Sequence, residues 1–365
     1  MKLGIMTLID VNNYGGVLQA IAIQDYLQQA GHDAVLLHIR YNPQGNRILK
    51  FLERPTKGII EQIKARKFAT FRLQHFHHGG LPAYDPQAFL ETPPAFDAYV
   101  CGSDQIWNSG NCADSVKRRL FFLDFGDSQA KRIAYAASWG AKTLAPHLQP
   151  EVAACLARFD AISVREKSGV AIASELGCQA LWLPDPALLH QADYWHAIAD
   201  EAENKGAPET LFQCEYRWTP CVDFQLVRTL LCRRHGWRTV IPFANKPLRQ
   251  FAFTRCLAPA EWLDGIRKSA FVLTNSYHAL LFSIQFKRPF LVIPLSGKYA
   301  GMNERIFSVT KRLGLQDRVI TEYNEEQIIK RAETPIDWDA VDARLTDWRK
   351  EADAFLTDAL NDSAG

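Results

Sequence analysis

Leu273-Thr274-Asn275-Ser276-Tyr277-His278-Ala279-Leu280-Leu281-Phe282-Ser283-Ile284, closed by Lys287-Arg288-Pro289-Phe290-Leu291-Val292-Ile293-Pro294, is the stretch that decides how this chain folds. An apolar run ends in small polar residues, a lone histidine follows, an amphipathic segment starts, and a second apolar run closes the unit. The pattern predicts strand, turn, helix, strand, with His278 at the mouth of a βα turn. In open α/β sheets ligands bind at the carboxyl ends of strands, and a helix beginning there offers free N–H groups and a positive dipole end to an anion. A lone histidine can simply bond nearby backbone. At a strand end after small polar residues, the better reading is an imidazole that handles a proton beside a phosphate.

Working outward, Lys298 in Leu295-Ser296-Gly297-Lys298-Tyr299 falls in the loop after the next strand, on the same edge of the sheet. It is either a surface lysine or an anion contact, since Ser-Gly before it permits close backbone approach. Further strands are expected at Thr210-Leu211-Phe212-Gln213-Cys214 and Thr239-Val240-Ile241-Pro242, with a helix from Phe224 to His235 between them. The polar segment Asp200 to Glu209 reads as a linker. Domains are therefore expected over 1–200 and 201–340, with a C-terminal helix and tail over 341–365 whose apolar Val341, Leu345, Trp348 and Phe355 pack on a domain surface.

The first half opens as βαβ: Leu3 to Leu8, the turn Asn12-Asn13-Tyr14-Gly15-Gly16, a helix to Gln29 ended by Gly31, then Ala34 to Leu37. The turn lacks both GxGxxG and a GK[ST] ending, so it is weak as a nucleotide motif, yet it offers two amides and bare backbone. Three apolar strands then each end in small polar residues: Phe96–Cys101 before Gly102-Ser103-Asp104-Gln105-Ile106-Trp107-Asn108, Ile133–Ala137 before Ser138-Trp139-Gly140, and Ala161–Val164 before Arg165-Glu166. Arg165 at a strand terminus suits bidentate capture of carboxylate or phosphate, and Glu166 beside it can pair with another base. The loop around Asp104 mixes carboxylate, amides, hydroxyl and indole as sugar recognition requires, or is a turn with Trp107 in the core. Ser138 belongs to a weaker version of that loop, and Pro184-Asp185-Pro186 reads as a rigid interdomain turn. Alternating strands and helices throughout imply α/β architecture: two Rossmann-like parallel-sheet domains facing a cleft.

Composition excludes several classes. The chain has 365 residues, 47% hydrophobic and 22% charged, enough for two domains. A net charge of +2, from 42 Lys and Arg against 40 Asp and Glu, argues against a nucleic-acid binder. No run of about 18 apolar residues occurs, and Met1 to Leu8 is too short for a signal-peptide core and reads as a first strand. Eight cysteines without CxxC or Cys/His metal spacing read as reduced thiols, which fits a cytoplasmic compartment and no bound metal. From Arg47 to His78 the chain is basic and aromatic (Lys50, Arg54, Lys57, Lys64, Arg66, Lys67), an exposed helical excursion whose charge suits docking at the inner face of a membrane.

Asn13-Tyr14-Gly15-Gly16-Val17-Leu18-Gln19-Ala20, Gly102 to Asn108, Ser163 to Gly169, Asp185-Pro186, and Ser276-Tyr277-His278 through Pro289-Phe290 together resemble the polysaccharide pyruvyltransferase family, in order from about Lys2 to about Arg318. The resemblance implies a fold similar to the glycosyltransferase B architecture with the active site between the halves. It also implies transfer of a pyruvyl group from phosphoenolpyruvate to a sugar, commonly as a cyclic ketal with release of phosphate. By position, the family's catalytic histidine matches His278, its donor-binding arginine Arg165, and a basic donor-site residue Lys298. Many members carry an arginine where this chain has Ser276, and Arg305 is the residue that can supply the missing anion contact. Asn12, Asn13, Gly15, Gly16, Ser103, Gln105, Trp107 and Ser138 are then expected to orient the acceptor, with Asp104 as the spare carboxylate that deprotonates it. The expected partners are phosphoenolpyruvate as donor substrate and a nucleotide-linked, lipid-linked or polymeric sugar, with no cofactor. The alternatives are a nucleotide-sugar glycosyltransferase on the same frame and a non-catalytic carbohydrate-binding protein.

Overall fold

Strands in a parallel sheet are covered on both faces, so they read as short, near-continuous apolar runs, and two sheets form from such runs. The computed structural model describes residues 1–40, 55–215, 219–242 and 254–361. The chain divides into two compact units, one of Met1–Asn46, His75–Leu189 and Leu345–Gly365, the other of Arg47–Gln74 and His190–Arg344.

In the first unit β1 (Lys2–Met6), β2 (Asp33–Leu36), β3 (Ala98–Cys101), β4 (Lys131–Ala137), β5 (Ala161–Val164) and β6 (Leu181–Trp182) form a sheet in the order β2-β1-β3-β4-β5-β6. All pairs are parallel, with Leu3 opposite Ala98 and Ala98 opposite Lys131. One face packs on a cluster built around Trp107, Phe121, Phe122 and Trp139, the other on Ile23, Leu27, Tyr135 and Leu356. Strand order reverses between β1 and β3, which makes the loops after those two strands the natural ligand position.

The second unit repeats the logic with β7 (Thr210–Cys214), β8 (Arg238–Pro242), β9 (Thr254–Arg255), β10 (Phe271–Thr274) and β11 (Phe290–Val292), ordered β11-β10-β7-β8-β9. Its reversal lies between β7 and β10, where Thr274 stands opposite Cys214. The helix Tyr277–Gln285 follows β10 as expected, and the helix Phe224–His235 stops where Gly236 turns left-handed at φ 72°. Both units are therefore Rossmann-like.

Three expected boundaries move. The change of unit falls at Leu189/His190 rather than 200/201, because Asp200 to Glu209 is not a free linker. Gly206 N–H donates to Asp264 Oδ2 at 2.7 Å, and a Cβ on Gly206 would meet Asp264 O at 2.7 Å, so that segment is packed on the Pro259–Lys268 helix. The C-terminal helix Trp338–Leu360 joins the first unit from Leu345 onward: Trp348 is fully buried and its Nε1 donates to Trp182 O at 3.1 Å. The basic excursion is the helix Pro55–His75, which belongs with the second unit through buried Phe68 and Phe71 and a 2.6 Å ion pair of Lys67 with Glu261. The part of that expectation on 47–54 lies outside the described residues. No helix among the described residues is long and apolar enough to cross a membrane.

All eight cysteines are free thiols. Burial pushes the Cys112 thiol up to about 12 and raises Cys101 well above its ordinary value; burial raises Cys221 as well, but Cys221 is exposed to reagent. Alkylation needs thiolate. Iodoacetamide at about pH 8 is therefore expected to label Cys221 first in the native protein and to reach Cys101 and Cys112 only on unfolding, as peptide mapping with and without denaturant will show.

Candidate functional site

The carboxyl edge of the first sheet is organised around one buried cation. Arg165 follows β5 and has no exposed surface. Its Nη1 lies 2.7 Å from Asp185 Oδ2 and 3.3 Å from Ser103 Oγ, its Nη2 3.4 Å from Asp104 Oδ1, and its Nε 4.0 Å from Glu166 Oε2. Glu166 Oε1 accepts from Ser138 Oγ at 3.1 Å and from the backbone N–H groups of Trp139 at 2.7 Å and Gly140 at 3.0 Å. The strand is shaped to deliver them: β4 shifts register between Ala134 and Ala137, and Ala136 takes φ 49°. Such a bulge re-aims the end of a strand.

Asp104 also sits at positive φ, 75°, a conformation that persists in a side-chain-bearing residue only where its surroundings over-determine it. Here they do. Its carbonyl accepts from Ser138 N–H at 3.1 Å and its Oδ1 from Gln105 N–H at 2.8 Å, besides Arg165. The helix Tyr14–Gln29 starts beside it, capped by Asn13, whose side chain accepts from Gly16 N–H at 3.3 Å. Gly16 permits the approach: a Cβ there would stand 3.5 Å from Asp104 Oδ2 and 3.2 Å from Val11. Beneath, Gln19 Nε2 donates to Thr7 Oγ1 at 2.9 Å and Thr7 Oγ1 to Ser103 O at 3.0 Å, which locks the β1 loop to the β3 loop.

Several expected contacts are corrected by burial. Arg165 is enclosed by carboxylates and does not stand open to an incoming anion. Trp107 is fully buried, stacked on Phe122 at 4.9 Å and 4° with Nε1 bonded to Phe121 O, so it is core and not a platform for a sugar face. Ser103 and Ser138 are equally buried and hold Ala136 O or Asp185, and Glu166. Gly15 and Gly16 are buried as well and act through backbone. Asn12, Asn13, Asp104 and Gln105 keep partial exposure. Sequence reasoning missed Asp185, taken as a turn residue; it caps the turn Pro186–Leu188 with one oxygen and holds Arg165 with the other. Its only signal was the Asp185-Pro186 pair.

In the second unit the turn after β10 is built by its own hydroxyls. Thr274 Oγ1 donates to Cys214 O at 2.6 Å and accepts from Ser276 N–H at 2.8 Å, and Ser276 caps the Tyr277–Gln285 helix by accepting from Ala279 N–H. That fixes His278 in the first turn of the helix, 6% exposed, with its ring edge-on to Tyr277 at 5.3 Å. Arg305, from the Glu304–Leu313 helix, places its guanidinium 5.4 Å over the Tyr277 ring. Lys298 is exposed on the turn after β11, following Gly297 at φ 59°, with Nζ 5.2 Å over Tyr299. Glu215, at the end of β7, accepts from Gln213 Nε2 at 3.2 Å. It too was unread in the sequence. No trio of His, Cys, Asp or Glu among the described residues is arranged to hold a metal ion.

Removing one member of a buried ion pair leaves the others uncompensated, at a cost of about 3–5 kcal/mol. Arg165→Ala is accordingly expected to lower folding stability by about that amount in denaturant titration. Lys298→Ala, on an exposed side chain, should change stability by less than about 0.5 kcal/mol.

The S. aureus MnaA-UDP co-structure is similar over 96% of this chain and 91% of its own, at 13% identity and TM-score 0.50. The Methanocaldococcus jannaschii UDP-GlcNAc 2-epimerase in complex with UDP-GlcNAc and UDP is similar over 91% of this chain and 92% of its own, at 11% identity and TM-score 0.51. At those identities the likeness shows the fold, similar to the glycosyltransferase B class. No curated protein sequence matches the chain. The family described as Polysaccharide pyruvyl transferase matches residues 13–297, a span holding the Asn13 turn, Asp104, Arg165, Asp185 and His278, and the chain belongs to that family.

Proposed function

We propose that this chain transfers the pyruvyl group of phosphoenolpyruvate to a sugar hydroxyl or diol of a cell-surface polysaccharide or its precursor, forming a pyruvate ketal and releasing phosphate. The observation that carries the reading is the setting of His278: in the first turn of a capped helix, at the reversal point of the second sheet, within the family's matched span. The helix amides, Arg305 and exposed Lys298 are the groups assigned to the donor's carboxylate and phosphate, since amides and bases at a helix N-terminus favour negative charge. His278 gives a proton to the methylene carbon, which becomes methyl, and leaves C2 as an oxocarbenium-like centre. A sugar hydroxyl attacks C2 and gives its proton to a general base. The C2–O bond to phosphate then breaks, and a second hydroxyl adds to close the ketal and releases its proton.

Arg165 takes a different part from the donor contact expected of it: it positions Asp104, and through Glu166 the Ser138-Trp139-Gly140 turn. Asn12, Asn13 and Gln105 are assigned to acceptor hydroxyls because amides pair with donors and acceptors alike. The Pro55–His75 helix carries Ile59, Ile63 and Leu73 exposed, near Arg66 on the same helix, which supports peripheral docking on an anionic membrane that bears a lipid-linked acceptor. Sedimentation with anionic liposomes is expected for the intact protein and should weaken in Ile63→Glu/Leu73→Glu; no sedimentation of the intact protein ends that part of the reading.

Proton transfer by a placed side chain contributes about 10²–10⁴-fold to rate. Phosphate release from phosphoenolpyruvate with a sugar acceptor should fall by about that factor in His278→Ala, while Arg305→Met and Lys298→Ala chiefly raise KM. Phosphoenolpyruvate at about 100 times its Kd should stabilise the protein by about 2.7 kcal/mol. Both compared structures are UDP complexes. Stabilisation by a UDP-sugar with none by phosphoenolpyruvate would overturn pyruvyl transfer in favour of glycosyl transfer.

A further inference from the structure

A cavity of about 540 Å³ opens in the second unit between the Phe224–His235 helix and strands β8 and β9. Four of its eight lining residues are arginines: Arg228 and Arg233 from the helix, Arg238 from β8 and Arg255 from β9. Thr229 and Thr239 add two hydroxyls, and none of the described lining residues is acidic. In a chain of net charge +2 this is a local concentration of cations. Arg234, next to Arg233, contrasts with it: it points its charge at Glu333, 2.9 Å away, and does not line the cavity.

The position separates the cavity from the His278 turn. The cavity's strand residues lie on β8 and β9, with Arg238 opposite Thr210 and Arg255 opposite Pro242, whereas His278 follows β10, on the other side of β7 in the sheet. An incoming anion meets the exposed guanidinium forks of Arg233 and Arg238, and such forks bind phosphate oxygens in pairs. Arg228 is 8% exposed, and its Nη1 donates to Gln213 Oε1 at 3.3 Å, so the floor of the cavity is a held guanidinium and not a mobile surface side chain. Trp237 also lines the cavity, but its ring is stacked on His235 at 4.2 Å and 14° and on Phe271 at 5.5 Å and 19°. The indole is committed to its neighbours, so it serves as a wall. Charge density is what this lining selects, rather than a flat base.

We propose that this cavity is a binding site for a compact polyanion of the diphosphate class, separate from the site that carries His278. The diphosphate can arrive free, as inorganic pyrophosphate, or as the linkage of a nucleotide-bound sugar. Isothermal titration of the full chain with inorganic pyrophosphate, and in parallel with UDP, tests it.

The expected result is one saturable site for the diphosphate, whose affinity falls at least about tenfold in Arg233→Glu/Arg238→Glu and is unchanged in His278→Ala. Binding should also weaken as salt rises, since these arginines are partly exposed and their field is screened. Inorganic pyrophosphate binding in that pattern assigns the free ion; UDP binding alone in that pattern assigns the linked form. Both arginines are exposed, so the variant should fold, and its unfolding midpoint without ligand should match that of the parent protein. Phosphate release from phosphoenolpyruvate should likewise be unchanged in it. The proposal is overturned if neither probe binds, if binding survives in Arg233→Glu/Arg238→Glu, or if His278→Ala abolishes it.

Discussion

A guanidinium taken out of water must find acceptors inside the protein, and at the end of β5 that requirement sets the shape of a whole sheet edge. Arg165 has no exposed surface, and Asp185, Asp104, Ser103 and Glu166 converge on it from the loops after β6, β3 and its own strand. The desolvation cost of burying one such charge is several kcal/mol, so the cluster is stable only while its geometry is kept. Asp104 can hold a left-handed backbone because of it. Glu166 in turn spends one oxygen on the amides of Trp139 and Gly140, which extends the same constraint to the loop after β4.

The second unit solves the equivalent problem with neutral groups. The turn after β10 rests on hydroxyl and backbone bonds from Thr274 and Ser276, with no ion pair among them. Its helix N-terminus therefore keeps the positive end of its dipole uncancelled by a capping carboxylate, and the Arg305 guanidinium lies over the Tyr277 ring of its first turn. A buried charge cluster fixes geometry strongly but leaves little field for a ligand. A hydroxyl-built turn does the reverse.

The sheets were legible because parallel strands must be apolar on both faces: Leu211 to Cys214, Phe271 to Thr274 and Phe290 to Val292 all lie where their apolar runs put them. The turn at Ser276 and His278 was legible for a related reason, since small polar residues after a strand leave few local choices. What escaped the sequence depends on partners distant along the chain. Asp185 reads as one more Asp-Pro turn until Arg165, twenty positions away, is seen to need it. Trp107 reads as a sugar platform or a core residue with equal ease, and only the neighbours Phe122 and Trp139 decide for the core. The unit boundary escaped for the same reason, because Gly206 looks like a linker glycine until Asp264 closes on it.

The two sheet edges differ in the charged groups they hold. Around Arg165 one cation meets the carboxylates of Asp185, Asp104 and Glu166, so carboxylates outnumber the guanidinium they surround. A carboxylate held in a fixed orientation is what a hydroxyl needs in order to lose its proton. The turn that carries His278 offers amide N–H groups beside the Arg305 guanidinium, which is the complement of an anion.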